Sequence, residues 1–451
     1  MTLPLVVLAL LMSTPAGAGP QVKPGDAEVH VDRATALYGK GDLDGAIAEW
    51  REAIRLKPDD AEAHNDLGIA LDDKGDHNGA IAEEREAIRL KPDYANPHNN
   101  LGSVLNGKGD LDGAIAEYRE ALHLKPDLAE AHYNLAVALR AKGDLNAEIA
   151  EYREAIRLKP DLAEAHYNLG VELRDKGDLD GAIAEYREAI RLKPDYADAH
   201  NNLGLTLDDK GDHEGAIAEY REAIRLKPGD AELHYNLGVA LDGKGDHNGA
   251  IGELREAIRL KPDFAEAHNN LGNALRDKGD HEGEIAEYRE AIRLKPDDAM
   301  AHYNLGLALY VKGNLDDATV EWRKAIRLKP DYAEAHTNLG SALHDKGDHE
   351  GAIAEYREAI RLKPDYAMAH TNLGSALYGK GDLDGSIAEW REANRLKPDY
   401  ADAHYNLGNV LDDKGDHEGA IAELREVIRL KPDYAEAHTN LGSALYGKGD
   451  L

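Results

Sequence analysis

Apolar residues recur at helical spacing in two stretches of the chain that are repeated many times over. In the stretch from Ala61 to about Lys74, the apolar positions are Ala63, Leu67, Ala70 and Leu71. In the stretch from about His77 to Leu90, they are Ala80, Ile81, Ala87, Ile88 and Leu90. Spacings of three and four residues are typical of an amphipathic α-helix. The pattern therefore predicts two helices per repeated unit.

Short turn signals separate these predicted helices. A Lys-Pro pair recurs every 34 residues from Pro58 to Pro432, and Lys-Gly-Asp turns lie between the pairs. Proline disfavours helical geometry in the residue before it, so each second helix should end at Lys-Pro. Asp59 and Glu62 have the spacing of a capping box and predict the start of a first helix. Twelve whole repeats cover 27–434, and 435–451 is half of a thirteenth repeat.

One pair of short helices cannot bury its own apolar face, so neighbouring pairs must cover each other. Small residues such as Gly68 and Ala80 allow close approach, and large ones such as Trp50 and Tyr118 fill the space between helices. The sequence therefore predicts an all-α solenoid of antiparallel helix pairs rather than a globule.

The first residues have a different character from the repeats. An apolar run from Leu3 to Met12 is followed by the small-residue stretch Ala16-Gly17-Ala18. This pattern is typical of a secretory signal peptide cleaved after Ala18, so we predict a signal peptide at 1–18 and a linker at 19–26. We expect an exported protein, periplasmic or secreted, or a cytoplasmic one if the run is only a hydrophobic N-terminus.

Charge and cysteine content narrow the choice of partners. The chain has 54 Lys+Arg against 86 Asp+Glu, a formal charge of −32, and no Cys. Nucleic acids and anionic membranes attract positive surfaces, so neither is an expected partner, and we expect no membrane insertion after signal cleavage. The absence of Cys excludes disulfides and thiolate metal sites. We expect no cofactor.

The repeat resembles the tetratricopeptide repeat (TPR), whose 34-residue signature is W-x₂-L-G-x₂-Y, then A-x₃-F, then P. One copy matches this signature at His166, Leu169, Gly170, Leu173, Ala182, Tyr186 and Pro194. The resemblance covers 27–451. It implies helix pairs stacked in a right-handed superhelix, with the first helices on the concave face.

The sequence departs from that signature at a few positions. The usual Trp is His in all thirteen copies, from His30 to His438. We interpret these histidines as packing residues that donate one hydrogen bond, with proton sensing as the alternative. They recur about one helix diameter apart, too far to share a metal ion, so no metal site is expected. Glu148 and Glu284 replace Ala, and Asn394 replaces Ile, where we expect local loosening.

The sixth position of the repeat carries the candidate binding residues. It is Asp in the first two copies, Asp32 and Asp66, and Asn in the eleven that follow. This series is similar to the asparagine ladder of the O-linked N-acetylglucosamine transferase repeat domain, where the resemblance implies amides that hold an extended peptide. An amide offers both a donor and an acceptor to a peptide group. The alternative is hydrogen bonding between repeats. The candidate residues are Asn100, Asn134, Asn168, Asn202, Asn236, Asn270, Asn304, Asn338, Asn372, Asn406 and Asn440.

Variation among the copies locates a surface. The fifth, ninth and twelfth positions vary widely, as in Asn65, Tyr133 and Thr337 at the fifth, so we expect all three on the exposed groove face. The second, fifth, sixth and ninth positions hold no Lys or Arg in any copy. A groove of this composition would repel an acidic C-terminal peptide, and neutral or basic extended segments are favoured.

These observations favour a non-catalytic scaffold that binds extended polypeptide segments of partner proteins in its groove. No catalytic constellation stands out, because His and the acids recur with the packing period, so we expect no enzyme activity. An alternative is the truncated repeat arm of a larger enzyme, such as a glycosyltransferase, with its catalytic domain missing after Leu451. A third is a rod that self-associates end to end.

Overall fold

Each predicted repeat forms a pair of α-helices joined by a short turn. A computed structural model of the chain describes residues 24–450, and within that range it contains 25 helices and no strand. The all-α prediction is confirmed. The chain divides after Leu226 into two compact units. Helices were predicted at Ala61 to about Lys74 and about His77 to Leu90, and they lie at Ala61–Asp73 and His77–Leu90.

Twelve described helices belong to the first unit, six of them first helices of a repeat and six second helices. They are α1 Pro24–Tyr38, α2 Leu43–Leu56, α3 Ala61–Asp73, α4 His77–Leu90, α5 Ala95–Gly107, α6 Leu111–Leu124, α7 Ala129–Lys142, α8 Leu145–Leu158, α9 Ala163–Asp175, α10 Leu179–Leu192, α11 Ala197–Asp209 and α12 His213–Leu226.

The second unit continues the same alternation with thirteen described helices. They are α13 Ala231–Gly243, α14 His247–Leu260, α15 Ala265–Asp277, α16 His281–Leu294, α17 Ala299–Val311, α18 Leu315–Leu328, α19 Ala333–Asp345, α20 His349–Leu362, α21 Ala367–Lys380, α22 Leu383–Leu396, α23 Ala401–Asp413, α24 His417–Leu430 and α25 Ala435–Lys448.

The turn inside each repeat is built by its Gly and the following Asp, which is Asn314 in one copy. Gly41 has φ +81°, a left-handed conformation that glycine adopts without a steric penalty. The next residue, Asp42, caps α2 by accepting a hydrogen bond from the Gly45 amide at 3.0 Å. The predicted capping box at Asp59 is wrong, because Asp60 is the residue that caps α3. Satisfying the free amide groups at a helix start depends on which residue precedes the first turn.

Stacking of the helix pairs buries the apolar faces as the repeat pattern predicts. Within each unit, a first helix packs against the second helix of its own repeat, which then packs against the next first helix. The ring of Tyr118 lies over Gly102, where a Cβ atom would be only 2.7 Å from the ring, and Tyr118 is buried. Ala80 and Ala87 are also fully buried. Small residues thus allow the close helix contacts that larger neighbours fill.

The N-terminal boundary differs from the prediction. Helix α1 begins at Pro24, inside the predicted linker 19–26 and three residues before the predicted first repeat at 27. Proline is favoured at the first position of a helix, because its missing N–H would be unpaired there anyway. The predicted signal peptide at 1–18 lies outside the described residues. No helix between residues 24 and 450 has both the length and the apolar character needed to cross a lipid bilayer.

Candidate peptide-binding surface

The sixth-position asparagines, which we call the asparagine ladder, link neighbouring repeats within each unit. In most copies, the Nδ2 group donates a hydrogen bond to the side chain at the fifth position of the preceding repeat, 35 residues earlier. The bonds run from Asn100 to Asn65 (3.0 Å), Asn134 to Asn99 (3.0 Å), Asn168 to Tyr133 (3.2 Å), Asn202 to Tyr167 (3.0 Å), Asn270 to Tyr235 (2.9 Å), Asn304 to Asn269 (3.0 Å), Asn338 to Tyr303 (3.1 Å) and Asn440 to Tyr405 (3.1 Å).

The ladder changes where the preceding fifth residue is threonine. Thr337 and Thr371 donate their hydroxyl groups to carbonyls of their own helix at 3.0 Å. The Asn372 Nδ2 group donates a hydrogen bond to Ser341 Oγ instead, at 3.4 Å. The Asn406 side chain makes no hydrogen bond to any other described residue. The short threonine side chain therefore interrupts the ladder at this place.

The ladder asparagines are only partly removed from solvent. Asn304 is buried, and the other ten, including Asn236 on α13, are half-buried. An amide has two N–H donors and a carbonyl acceptor, so one donated bond to the preceding repeat uses only part of its capacity. Bonding between repeats and bonding to a ligand are therefore chemically compatible at the same residue.

The prediction that the fifth position is exposed is wrong. Asn65 is 4% exposed and Thr337 is 1% exposed, while Tyr133 and Tyr235 are half-buried. These side chains lie against the next repeat, where most of them accept the ladder hydrogen bonds. Their variation reflects interchangeable acceptors, Asn Oδ1 or Tyr hydroxyl. The ninth and twelfth positions are more open: Ser103, Val239, Arg140 and Tyr378 are exposed.

A strongly acidic cavity of about 560 Å³ lies at the first two repeats. Its walls include both sixth-position aspartates, Asp32 and Asp66. The charged residues around it are Glu28, Asp32, Asp59, Asp60, Glu62 and Asp66, against Lys57 and Lys91. Lys57 Nζ is bound to Asp60 at 3.0 Å and Lys91 Nζ lies 3.7 Å from Glu62. Carboxylates remain in excess over ammonium groups around the cavity.

A second cavity, of about 400 Å³, lies in the second unit at the place where the ladder is interrupted. Asn406 lines it, and the remaining wall is polar and aromatic. The other lining residues are His344, His349, Ser375, Tyr378, Gly379, Trp390, Asn409 and Val410. An amide without an intramolecular partner thus faces a space bounded by both polar groups and rings.

Family models account for nearly all of the repeats. The TPR repeat model matches residues 34–75, 70–107, 102–143, 137–171, 243–275, 272–313, 308–347, 340–381, 375–413 and 413–449. The tetratricopeptide repeat model matches 167–231. The chain belongs to the tetratricopeptide repeat family. The resemblance to tetratricopeptide repeats that the sequence predicted is confirmed. No curated protein sequence matches this TPR chain.

Several solved structures are similar to this TPR chain. The Cut9-Hcn1 hetero-tetramer of APC/C is 15% identical, with 95% of this chain and 99% of the other covered and a TM-score of 0.47. YrrB, described as a TPR protein with an unusual peptide-binding site, is 26% identical over 41% of this chain and 96% of its own, with a TM-score of 0.36. A structure of MamA is 32% identical over 37% and 97%, with a TM-score of 0.35.

In most copies the histidine at the TPR tryptophan position contacts two partners, where the sequence predicted one hydrogen bond; His98 and His268 have only the glutamate among the described residues. His166 Nδ1 lies 2.6 Å from Glu185 Oε2, and its Nε2 lies 3.1 Å from the Pro160 carbonyl oxygen. A carboxylate and a carbonyl both accept, so both ring nitrogens donate when the imidazole is protonated. Burial alone would lower the pKa of His166, but hydrogen bonds to Glu185 and then to Pro160 raise it overall.

Four buried glutamates, including Glu172 on α9, lie in positions that small or aromatic residues occupy in other repeats. Glu84, Glu148 and Glu284 are 1%, 2% and 1% exposed. Burial raises the pKa of Glu84 to about 9 and is the largest cause of a rise to about 8 for Glu148. Neither Glu84 oxygen has a hydrogen-bond partner among the described residues, although the nearby Asn100 amide partly offsets the effect of burial on the pKa. Glu84 takes the slot that Tyr118 fills in the next repeat.

Proposed function

We propose that this chain is a non-catalytic scaffold that binds extended polypeptide segments along the surface carrying the asparagine ladder. A fold of tetratricopeptide repeats fits protein–protein interaction in general and is typically non-catalytic. The observation that supports peptide binding most directly is Asn406, whose amide has no partner among the described residues and lines the cavity of about 400 Å³. A peptide group offers the carbonyl and the N–H that such an amide can pair with, whatever its side chain.

The charge of the cavity at the first two repeats supports a preference for neutral or basic segments. Six carboxylates surround it and two lysines oppose them. Complementary charge speeds association and disfavours partners of the same sign. A segment carrying Lys or Arg is therefore the favoured ligand there.

A direct test begins with a library of random twelve-residue peptides selected on the full chain. Binding of the selected peptides is then measured by fluorescence anisotropy for the wild type, Asn406→Ala and Thr371→Tyr. Asn406→Ala removes the amide, and Thr371→Tyr supplies the fifth-position hydroxyl that engages the ladder amide in other repeats. We expect either change to lower the affinity for peptides bound at this cavity about tenfold, which corresponds to roughly one hydrogen bond.

Asn248→Ala is the matched control, because Asn248 accepts a bond from Lys278 and lies outside the ladder. Its affinity should equal that of the wild type. Selection of predominantly acidic peptides would contradict the charge preference. Equal affinities for the wild type, Asn406→Ala and Thr371→Tyr would contradict peptide binding at the ladder.

Three further expectations belong to the same proposal. We propose export guided by residues 1–18. Expression in a secreting host would test this by showing whether the N-terminus is processed.

End-to-end self-association predicts a sedimentation coefficient that rises with concentration. The alternative of a repeat arm attached to an enzyme domain predicts coding sequence for that domain after Leu451.

A further inference from the structure

We propose that Asp242, His247 and Asp277 bind one Zn²⁺ ion between two neighbouring repeats of the second unit. One ligand atom from each residue lies within 4.8 Å of the other two. His247 Nδ1 lies 2.8 Å from Asp242 Oδ1. Ligand atoms around tetrahedral zinc are about 3.3 Å apart, so closing the site needs side-chain movements of only about 1.5 Å. An imidazole nitrogen and two carboxylate oxygens are established zinc donors.

The three residues come from three different helices whose ends meet. Asp242 is the penultimate residue of α13, His247 is the first residue of α14, and Asp277 is the last residue of α15. The C-terminal end of a helix carries partial negative charge, which disfavours a carboxylate and favours a cation. Two carboxylates at two such ends therefore form an environment that a divalent ion would stabilise.

The surrounding charges do not neutralise these carboxylates. Arg276 Nε lies 3.3 Å from Asp277 Oδ1, but both side chains are more than a third exposed, and such a pair contributes little. Lys278 Nζ is bound to Asn248 at 2.8 Å.

Other repeats contain the same site with its third ligand missing. His417 lies 2.7 Å from Asp412 in the second unit, and His77 lies 2.7 Å from Asp72 in the first. The residues that correspond to Asp277 there are Gly447 and Gly107. With the first Asp at the twelfth position of the repeat, near the end of a first helix, the full combination of Asp, His at +5 and Asp at +35 occurs only once in the sequence. That offset is one repeat plus one residue, a spacing that a search for short metal motifs does not detect.

The differences among the repeats suggest two variants, one that removes the third zinc ligand and one that adds it. Asp277→Gly removes the ligand and introduces glycine, the residue found at the corresponding positions 107 and 447. Gly107→Asp adds the third carboxylate beside Asp72 and His77, and a Cβ atom at Gly107 would meet nothing within 4 Å. Asp345→Gly is the matched control, because Asp345 also ends a first helix, but its neighbour is Tyr310 rather than an Asp–His pair.

The experiment is calorimetric titration of ZnCl₂ into the untagged, metal-free full chain at pH 7, with circular dichroism to check folding. We expect one site in the wild type and in Asp345→Gly, about 100-fold weaker binding in Asp277→Gly, and a second site in Gly107→Asp. Zinc binding that is unchanged by Asp277→Gly, or no saturable binding in the wild type, would overturn the proposal. Titration with MgCl₂ separates the ion classes: equal affinity for Mg²⁺ would overturn the assignment to zinc.

Discussion

The first two repeats and the later repeats of the same unit share one helical pattern but differ at the sixth position and in the slot between helices. In the first two, the sixth position is Asp32 or Asp66, and in the second repeat Glu84 takes the slot between helices. In α9 to α12, the sixth position is Asn168 or Asn202, and Tyr186 and Tyr220 fill the slot. The comparison shows that a carboxyl group can replace the amide of the sixth position, at the surface, and the aromatic ring of the slot, in the core, without changing the helices. We call a repeat acidic or neutral by these two positions alone.

Asp66 acts on Glu84 within the second repeat. Burial raises the pKa of Asp66, and the Asp66 charge adds to the larger effect of burial on Glu84. Asp66 also accepts a hydrogen bond from Asn65 at 3.1 Å, within its own repeat, whereas the later asparagines donate to the preceding repeat. In this acidic repeat, Asp66 therefore adds negative charge to the surface, and the buried Glu84 lowers the stability of the core.

The largest effect that we expect comes from Glu84→Leu. Leu254 and Leu424 occupy the same slot in other repeats and are fully buried over Gly238 and Gly408. Replacing an unpaired buried carboxyl by a leucine that these repeats already accommodate should raise the free energy of unfolding by about 3 kcal/mol at pH 7. Urea unfolding followed by circular dichroism measures this change. A Glu84→Leu protein no more stable than the wild type would contradict the account.

The same residue predicts how stability changes with pH. The pKa of Glu84 is about 9 in the folded chain against a usual 4.5, so the folded state holds a proton that the unfolded state has released. Its contribution is most favourable below pH 4.5 and declines as the pH rises towards 9. Glu84→Gln keeps the shape and removes the titration, so it should flatten this decline. An unchanged pH dependence in Glu84→Gln would assign the decline to other groups.

A smaller effect is expected from the histidine contacts of the later repeats. The pKa of His166 is raised above its ordinary 6.5, so its contribution is complete below pH 6.5 and is lost as the pH rises through the folded value. Glu185→Gln removes the charged acceptor and should lower the free energy of unfolding by about 1–2 kcal/mol at pH 6 and by less at pH 9. Unfolding measured at both pH values gives the difference, and an equal loss at both would argue against an imidazolium.

Local sequence signals predicted the helices well, and contacts between helices explain what they missed. The bounds of α3 and α4 follow from Lys-Gly-Asp and Lys-Pro, whose effects on the backbone are local. The buried fifth position, the acceptor of Asn202 and the second partner of His166 depend on groups in another helix or turn. Such contacts occur at constant offsets, 35 residues for the ladder and 19 for the His–Glu pair. Residue type at one position does not show them.

The smallest effect, and the sharpest test of the ladder in the neutral repeats, is expected from Tyr167→Phe. The Tyr167 ring packs against Tyr186 and Tyr196 with centroids 6.0 and 4.8 Å away, and phenylalanine keeps both contacts. Only the hydroxyl that accepts from Asn202 is lost. Since Asn202 is half-buried and water can replace part of that bond, we expect a loss of about 0.5–1 kcal/mol in the free energy of unfolding.

Asn202→Ala and the double variant complete a thermodynamic cycle for this step of the ladder. If the amide–hydroxyl bond couples the two repeats, the double variant should lose less than the sum of the single losses, because the second change removes a bond that is already broken. Strictly additive losses would mean that the 3.0 Å contact contributes no coupling energy. In that case hydrogen bonding between repeats would not explain Asn202, and the proposed ligand role would be the better account of this residue.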